Sequence, residues 1–397
     1  MKYNFHKSGV LILTILVGQS CIEEFDASFD DFESAIVIEA TVTDINEIQQ
    51  VRLTRTYEFE ADGPSAETNA NVSVNGGGVV YEFEEVSPGI YNSVLEFAAQ
   101  SGVAYQLQIT TQDGRSYSSS EENLPAAIGL DRVYADRITT DLGQEGVAIF
   151  VDSSDESENT RNFRYEYEET YKIIAPDWNN FELKSTGIEC GVDVIPKTEQ
   201  NQVCFATGIS NDLILASTAN LDENRVERFM VRFMDRNNYI ISHRYSIKVR
   251  QYTQSNASAA FYNALDQFSS SESLFSESQP GFLAGNVTSD LNQNEKVLGY
   301  FDVSSVSEER IFFNYDDLFP GEALPDYVNP CMEIAPMLIS QGGARCVLSA
   351  MVDANQVSYL DLNEDPPAEQ GPYLVVPREC GDCTVLGANV TPEFWTE

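Results

Sequence analysis

The sequence predicts a mainly β protein: an N-terminal immunoglobulin-like or transthyretin-like sandwich, then a larger β-rich domain with at least one helix. Three observations predict it. Apolar and polar residues alternate over short runs, turn residues separate the runs, and a single convincing stretch repeats at helical spacing. Hydrophobic residues make up 42% of the 397, enough to build packed cores and to set disorder aside.

In chain order the four parts are a signal peptide over 1–20, an acidic tether over 21–33, the sandwich over 34–125 and the β-rich domain over 126–397. Lys2, His6 and Lys7 precede an apolar run, Val10-Leu-Ile-Leu-Thr-Ile-Leu-Val17. That run falls far short of the about 20 residues that cross a bilayer as a helix, and it suits the apolar stretch of a secretion signal. Gly18-Gln19-Ser20-Cys21 resembles the lipobox of bacterial lipoproteins, which makes Cys21 the lipidated first residue of the mature chain. Gly18 and Gln19 stand where many lipoboxes carry Leu and Ala or Ser; the alternative is an ordinary signal with an incidental cysteine. Glu23, Glu24 and Asp26 follow directly and resemble the surface-export signal of Bacteroidota lipoproteins. A tether that faces the periplasm is the other reading. Fully extended, the stretch to Ile36 reaches about 50 Å.

Within 34–125, Ile36, Ile38, Ala40 and Val42 share one strand face, as do Val103, Tyr105, Leu107 and Ile109. Asn75-Gly76-Gly77-Gly78, Pro88-Gly89 and Asp113-Gly114 supply the turns. Later, Val147–Val151, Phe163–Tyr167, Phe229–Phe233 and His243–Arg250 read as strands. Phe261, Ala264, Leu265 and Phe268 recur at helical spacing behind Ser255 or Asn256 as N-cap. The stretches 176–200 and 314–345 read as long polar loops, the kind that carry recognition on a β scaffold.

Charge narrows the function. The chain has 23 Lys and Arg against 63 Asp and Glu. Losing Lys2 and Lys7 with residues 1–20 leaves 21 against 63, a charge of −42. Such a surface repels nucleic acid and anionic headgroups alike, so the expected membrane contact is through the lipid.

Setting Cys21 aside, Cys190, Cys204, Cys331, Cys346, Cys380 and Cys383 remain, an even set in an exported protein. Disulfides are expected, with 15 connectivities open. Local pairs Cys190–Cys204 and Cys331–Cys346 would close loops of 13 and 14 residues. Cys380-Gly-Asp-Cys383 lacks the βαβ setting of a redox motif, and a zinc site lacks histidines, since His243 is the only one after the signal. No metal or cofactor is expected.

The sequence contains no Gly-x-Ser-x-Gly, His-Glu-x-x-His or phosphate-loop motif. Asp361-Leu-Asn-Glu-Asp365 starts like a calcium loop, but Pro366 stands where its turn needs glycine. Acid pairs for glycoside hydrolysis depend on spacing in three dimensions and stay open. Trp178, in a polar Pro-Asp-Trp-Asn-Asn loop, is a candidate ligand contact, whereas Trp395 is expected to pack the C-terminus onto a strand face.

A longer series of motifs runs through the chain: Ile36–Asp44, Val51–Arg55, Pro88–Tyr91, Tyr105–Ser119, Ser242–Tyr252, Leu274-Phe275, Gln279-Pro280, Gly285-Asn286, Val297–Phe301, Ser304–Ser307, Arg310–Phe312, Cys380–Thr384 and Pro392–Trp395. Together they resemble a Bacteroidota outer-membrane lipoprotein family, domain of unknown function 4249, with Leu386–Asn389 departing from its usual glycine-rich run. The resemblance implies a non-enzymatic, surface-facing lipoprotein that serves a TonB-dependent barrel as accessory, capping or substrate-capture subunit. A free-standing ligand-binding or adhesion lipoprotein is the alternative, and an acid-pair hydrolase a third; the ligand is unknown. Cys21→Ser should abolish lipid labelling and release the protein from membranes. Full retention of both would refute the lipobox reading.

Overall fold

The structure, a computed structural model, describes residues 34–57, 63–155, 160–270, 283–343 and 345–397. The signal, Cys21 and the acids Glu23, Glu24 and Asp26 therefore lie outside the described residues, as do Leu274-Phe275 and Gln279-Pro280.

The fold is mainly β, as the alternation predicts. The first strands are β1 (Ile36–Thr43), β2 (Gln50–Arg55), β3 (Ser65–Ala66), β4 (Asn71–Gly76), β5 (Val79–Ser87), β6 (Ile90–Ser93), β7 (Ala104–Thr110), β8 (Ser116–Ser119) and β9 (Glu122–Asn123). Next come β10 (Leu130–Thr139), β11 (Glu145–Ser154), β12 (Asn162–Ile174), β13 (Phe181–Ser185), β14 (Val192–Pro196), β15 (Val203–Ile209), β16 (Ile214–Ser217), β17 (Arg225–Asp235) and β18 (Arg244–Thr253). After the helix Asn256–Ser270 follow β19 (Val287–Ser289), β20 (Val297–Asn314), β21 (Val357–Leu362) and β22 (Tyr373–Pro377).

One long sheet runs β15-β12-β18-β20-β1-β2-β6-β5-β4-β7-β8-β19. Its β1-to-β19 part curls over a core of Ile36, Ile38, Leu53, Val74, Leu107 and Tyr117, and Val287, Val297, Phe301 and Val303 complete that core from the other end of the chain. The hairpin turns fall where glycine is needed: Gly77 and Gly78 both have positive φ between β4 and β5. The ends of the curled sheet meet through Asn286. Its Nδ2 donates to the Phe301 carbonyl, and the Phe301 amide donates to its Oδ1, both at 2.8 Å. The amide side chain thus imitates one residue of a strand. Gly285 allows this approach, since a Cβ there would sit 1.6 Å from the Gly299 carbonyl oxygen; on the β1 side, a Cβ on Gly299 would sit 1.8 Å from the Ile38 carbonyl oxygen.

A second sandwich follows. The three-stranded sheet β10-β11-β17 packs Val147, Ile149 and Val151 against Tyr165, Tyr245, Ile247 and Val249 of the long sheet. At one end, Arg137 and Arg236 alternate with Glu145 and Glu322 in a ring of ion pairs, 2.7 Å for Arg137–Glu322 and 2.9 Å for Arg236–Glu145. The Phe319 ring lies against both guanidiniums.

β20 belongs to both sandwiches. Val297–Ser304 pairs parallel with β1, and Ser305–Asn314 pairs antiparallel with β18. Where the partner changes, Asp44 closes the gap: its carboxylate accepts from the Ser305 hydroxyl at 2.5 Å and the Val306 amide at 2.8 Å. The Ser307 hydroxyl accepts from the Leu130 amide that opens β10, at 2.9 Å. The serines of the 304–307 motif are thus the fittings of a strand changing neighbours.

The helix starts as predicted, with the Ser255 hydroxyl accepting from the Ser258 amide at 3.1 Å. Its buried Phe261 meets Tyr300 of β20 at 5.2 Å. Beneath it Arg164 is buried, stacked on Tyr252 and Tyr262 at 4.2 and 5.2 Å and paired with Glu166. Asp302, also buried, accepts from Ser304 at 2.9 Å. Burial raises its pKa, and the positive charge of Arg164 works against the rise. Removing the Asp44 carboxylate leaves the Val306 amide without its acceptor. Asp44→Ala should therefore lower stability by about 1–3 kcal/mol, read from the urea midpoint; an unchanged midpoint would contradict this role.

Candidate functional site: a disulfide-braced lobe and a charged cleft

β12 and β18 run antiparallel, with Tyr171 opposite Tyr245. The end of β12 therefore lies at the end of β20 farthest from the start of β1. Beyond it, residues 175–202 and 325–397 build a small lobe. The stretch 176–200, expected as a loop, contains the β13–β14 hairpin. β21 and β22 form a second hairpin, and Ile334 extends it by a backbone bridge to Val375.

Three disulfides hold the lobe: Cys190–Cys346, Cys204–Cys383 and Cys331–Cys380. All six cysteines outside the tether pair, but neither local pairing, Cys190–Cys204 or Cys331–Cys346, forms. Cys190 sits at the turn of the β13–β14 hairpin, while Cys204 faces inward from β15 in another sheet, so β14 carries the two apart. The bridges span 156, 179 and 49 residues of chain. Loops this long gain more from closure than short ones, about 4 kcal/mol or more each in the chain-entropy account.

Cys380 and Cys383 are both fully buried and belong to different bridges. Asp177 brings a carboxylate within 4.8 Å of the sulfurs of Cys331 and Cys380. Both sulfurs are committed to their bridge, so that group holds no free thiolate pair for a metal. Trp178 is half-buried and packs on Ile173, Ala175, Cys204 and Cys383. The Lys197 ammonium lies 5.8 Å from its ring centroid and donates to the Gly381 carbonyl at 3.0 Å. Burial lowers the Lys197 pKa, and Asp382 and Glu182 pull it partly back. Only part of the Trp178 ring is left for solvent or a ligand.

The C-terminus clasps the large sheet. Trp395 is buried between Phe205 and Phe312, with centroids at 4.8 and 5.7 Å. Arg310 stacks on Phe394 at 3.7 Å, and Lys172 pairs with Glu397 at 2.9 Å. His243 is half-buried, and burial, with Lys172 nearby, lowers its pKa. Its carbonyl accepts from Tyr315 at 3.2 Å. Asn363 donates to the Gly371 carbonyl at 2.8 Å, so the Asp361–Asp365 stretch serves as the end of a hairpin.

On the outer face of the three-stranded sheet lies an open cleft of about 640 Å³, lined by Asp131, Arg132, Asp152, Asp155, Glu223 and Arg225 among others. Three of its acids carry structural bonds. Asp131 accepts from Ser154 at 2.7 Å, Asp152 from the Arg228 amide at 2.7 Å, and Asp155 from Asn224 at 3.3 Å. Sequence spacing gave no sign of this cleft, because its residues come from three strands and their flanking turns.

The family model described as Domain of unknown function (DUF4249) matches residues 22–310. No curated protein matches the chain. One solved structure, titled as manganese lipoxygenase of Gaeumannomyces graminis with partial zonadhesin of Komagataella pastoris, shares 14% identity. The match covers 56% of this chain and 90% of that one, at a TM-score of 0.16, a likeness too slight to carry an argument.

Asp382 gives the lobe a pH signature. Its carboxylate accepts from the Thr384 amide and hydroxyl at 3.0 and 2.6 Å and from Arg378 at 3.2 Å. Burial pushes its pKa up, but these donors outweigh burial and leave it lowered. A lowered folded-state pKa stabilises above the unfolded value of about 4, and that contribution is lost as pH falls through the folded value. Hydrogen exchange over 378–386 should therefore quicken, relative to its ordinary pH dependence, as pH drops below about 4. Asp382→Asn should remove that excess; the same excess in the variant would contradict the assignment.

Proposed function

The chain belongs to the family described as Domain of unknown function (DUF4249), and on that premise we propose that it is a non-enzymatic accessory lipoprotein of the outer membrane. In this reading Cys21 carries the lipid, Glu23, Glu24 and Asp26 direct the protein to the cell surface, and the folded part helps a TonB-dependent barrel capture or admit its substrate. The supporting observation is the position of the lobe relative to the tether. The tether enters at Ser34, beside the start of β1 and of β20, while the disulfide-braced lobe sits past the other end of β20. β20 has 18 residues, about 60 Å at about 3.3 Å each if straight. An anchored molecule thus holds a covalently braced, loop-rich surface far from its lipid.

The lobe's charge fits a protein partner better than a membrane. Residues 175–202 carry Lys184 and Lys197 beside five acids, and 325–397 carry Arg345 and Arg378 beside eleven, a surplus of acid that anionic headgroups repel. Exposed Met332, Ile334 and Ile339 add apolar contact on the same lobe. The charged cleft favours the second reading, a free-standing binder of small polar ligands. Affinity purification of the tagged protein from gently solubilised outer membranes, with mass spectrometry, separates the two. Near-equal recovery of a TonB-dependent barrel is the expected result. Recovery of the lipoprotein alone, where other transporter complexes survive, would overturn the accessory-subunit reading.

A further inference from the structure

We propose that the β1–β20 ladder is a load-bearing shear clamp, through which tension between the N-terminal tether and the distal lobe passes. The mechanical demand rests on the anchored reading above; the mechanical property rests on register alone. β1 and β20 are parallel over eight residue pairs, Ile36 with Val297 through Thr43 with Ser304. The tether pulls on β1 at its first residue. The distal sandwich and lobe pull on β20 at its last, because Ser305–Asn314 is held by β18. Two parallel strands pulled from opposite ends are loaded along their length, so the inter-strand bonds share the force and must fail together. Pulled from the same end, they open one pair at a time.

Three features fit a joint built for this load. β1 lies inside the sheet, with β2 on its other edge, so slipping it breaks two ladders. Gly299 brings the β20 backbone close to Ile38, where any Cβ would collide. Asp44 holds Ser305 and Val306 immediately beyond the last pair, so the clamp ends on a side-chain bond and not on a fraying terminus. The same strand then enters the second sandwich without a linker that could stretch first.

Single-molecule pulling on the full mature chain tests the clamp without any membrane. Handles at Ser34 and at exposed Asp316, just past β20, load the ladder in shear. Handles at Ser34 and exposed Lys296, just before β20, load the same ladder as a zipper. The expected result is a rupture force several-fold higher in shear than in the zipper geometry, at one loading rate. Gly299→Ala, checked for native circular dichroism, should lower the shear force and leave the zipper force nearly unchanged. Equal forces in the two geometries would overturn the proposal. Failure of the barrel to co-purify would overturn the accessory-subunit reading and leave the clamp standing.

Discussion

The structure depends on one strand having two sets of partners. A β-strand offers two edges, and β20 uses them in turn: one edge meets β1 along its first half, the other meets β18 along its second. Each half leaves an edge that must be satisfied in another way, because a buried backbone donor or acceptor without a partner is costly. Asn286 serves that need at Phe301, and Asp44 serves it at Val306. With those side chains in place, the first core cannot be closed by residues 34–125 by themselves, since Val287, Val297, Phe301 and Val303 belong to it. The two sandwiches are joined through their hydrogen bonding and not through a linker.

Electrostatics sets a second constraint. A chain with 63 acids and 23 Lys and Arg repels itself on folding. Its scarce cations sit where they relieve most. Arg137 and Arg236 hold two glutamates in a ring at one end of the second sandwich, Arg250 bridges Glu47 and Glu308, and Arg164 offsets the buried Asp302. The last of these explains a position that looks costly. An arginine in the core is tolerated because two tyrosine rings and a carboxylate replace the water it has lost. The lobe, poor in cations, is held by covalent bridges instead.

Much of this was legible in the sequence, for a physical reason. A strand with one face in a core must alternate, so β1, β7 and β18 could be read from their apolar spacing, β11 from an unbroken apolar run that is buried on both faces, and the helix from Phe261, Ala264, Leu265 and Phe268. The glycine turns were legible because few residues accept positive φ. What could not be read depends on meetings between distant parts of the chain. Asp44 finds Ser305 across 261 residues, and Cys204 finds Cys383 across 179; no local pattern records either. The β13–β14 hairpin was hidden because its strands are short and largely exposed, with the burial pattern of a loop. β20 itself was visible only as separate motifs, because its facing neighbours change midway and its apolar period breaks at the serines.

The central claim is that β20 makes the two sandwiches one folding unit. The most direct measurement is the proton–nitrogen correlation spectrum of residues 34–125 produced alone, compared with the same fragment mixed with a peptide of residues 283–305. The account predicts a collapsed, poorly dispersed spectrum for the fragment alone, because β1 lacks its parallel partner and the core lacks Val287, Val297, Phe301 and Val303. A well-dispersed spectrum from the fragment alone, with protected amides along β1, would contradict it.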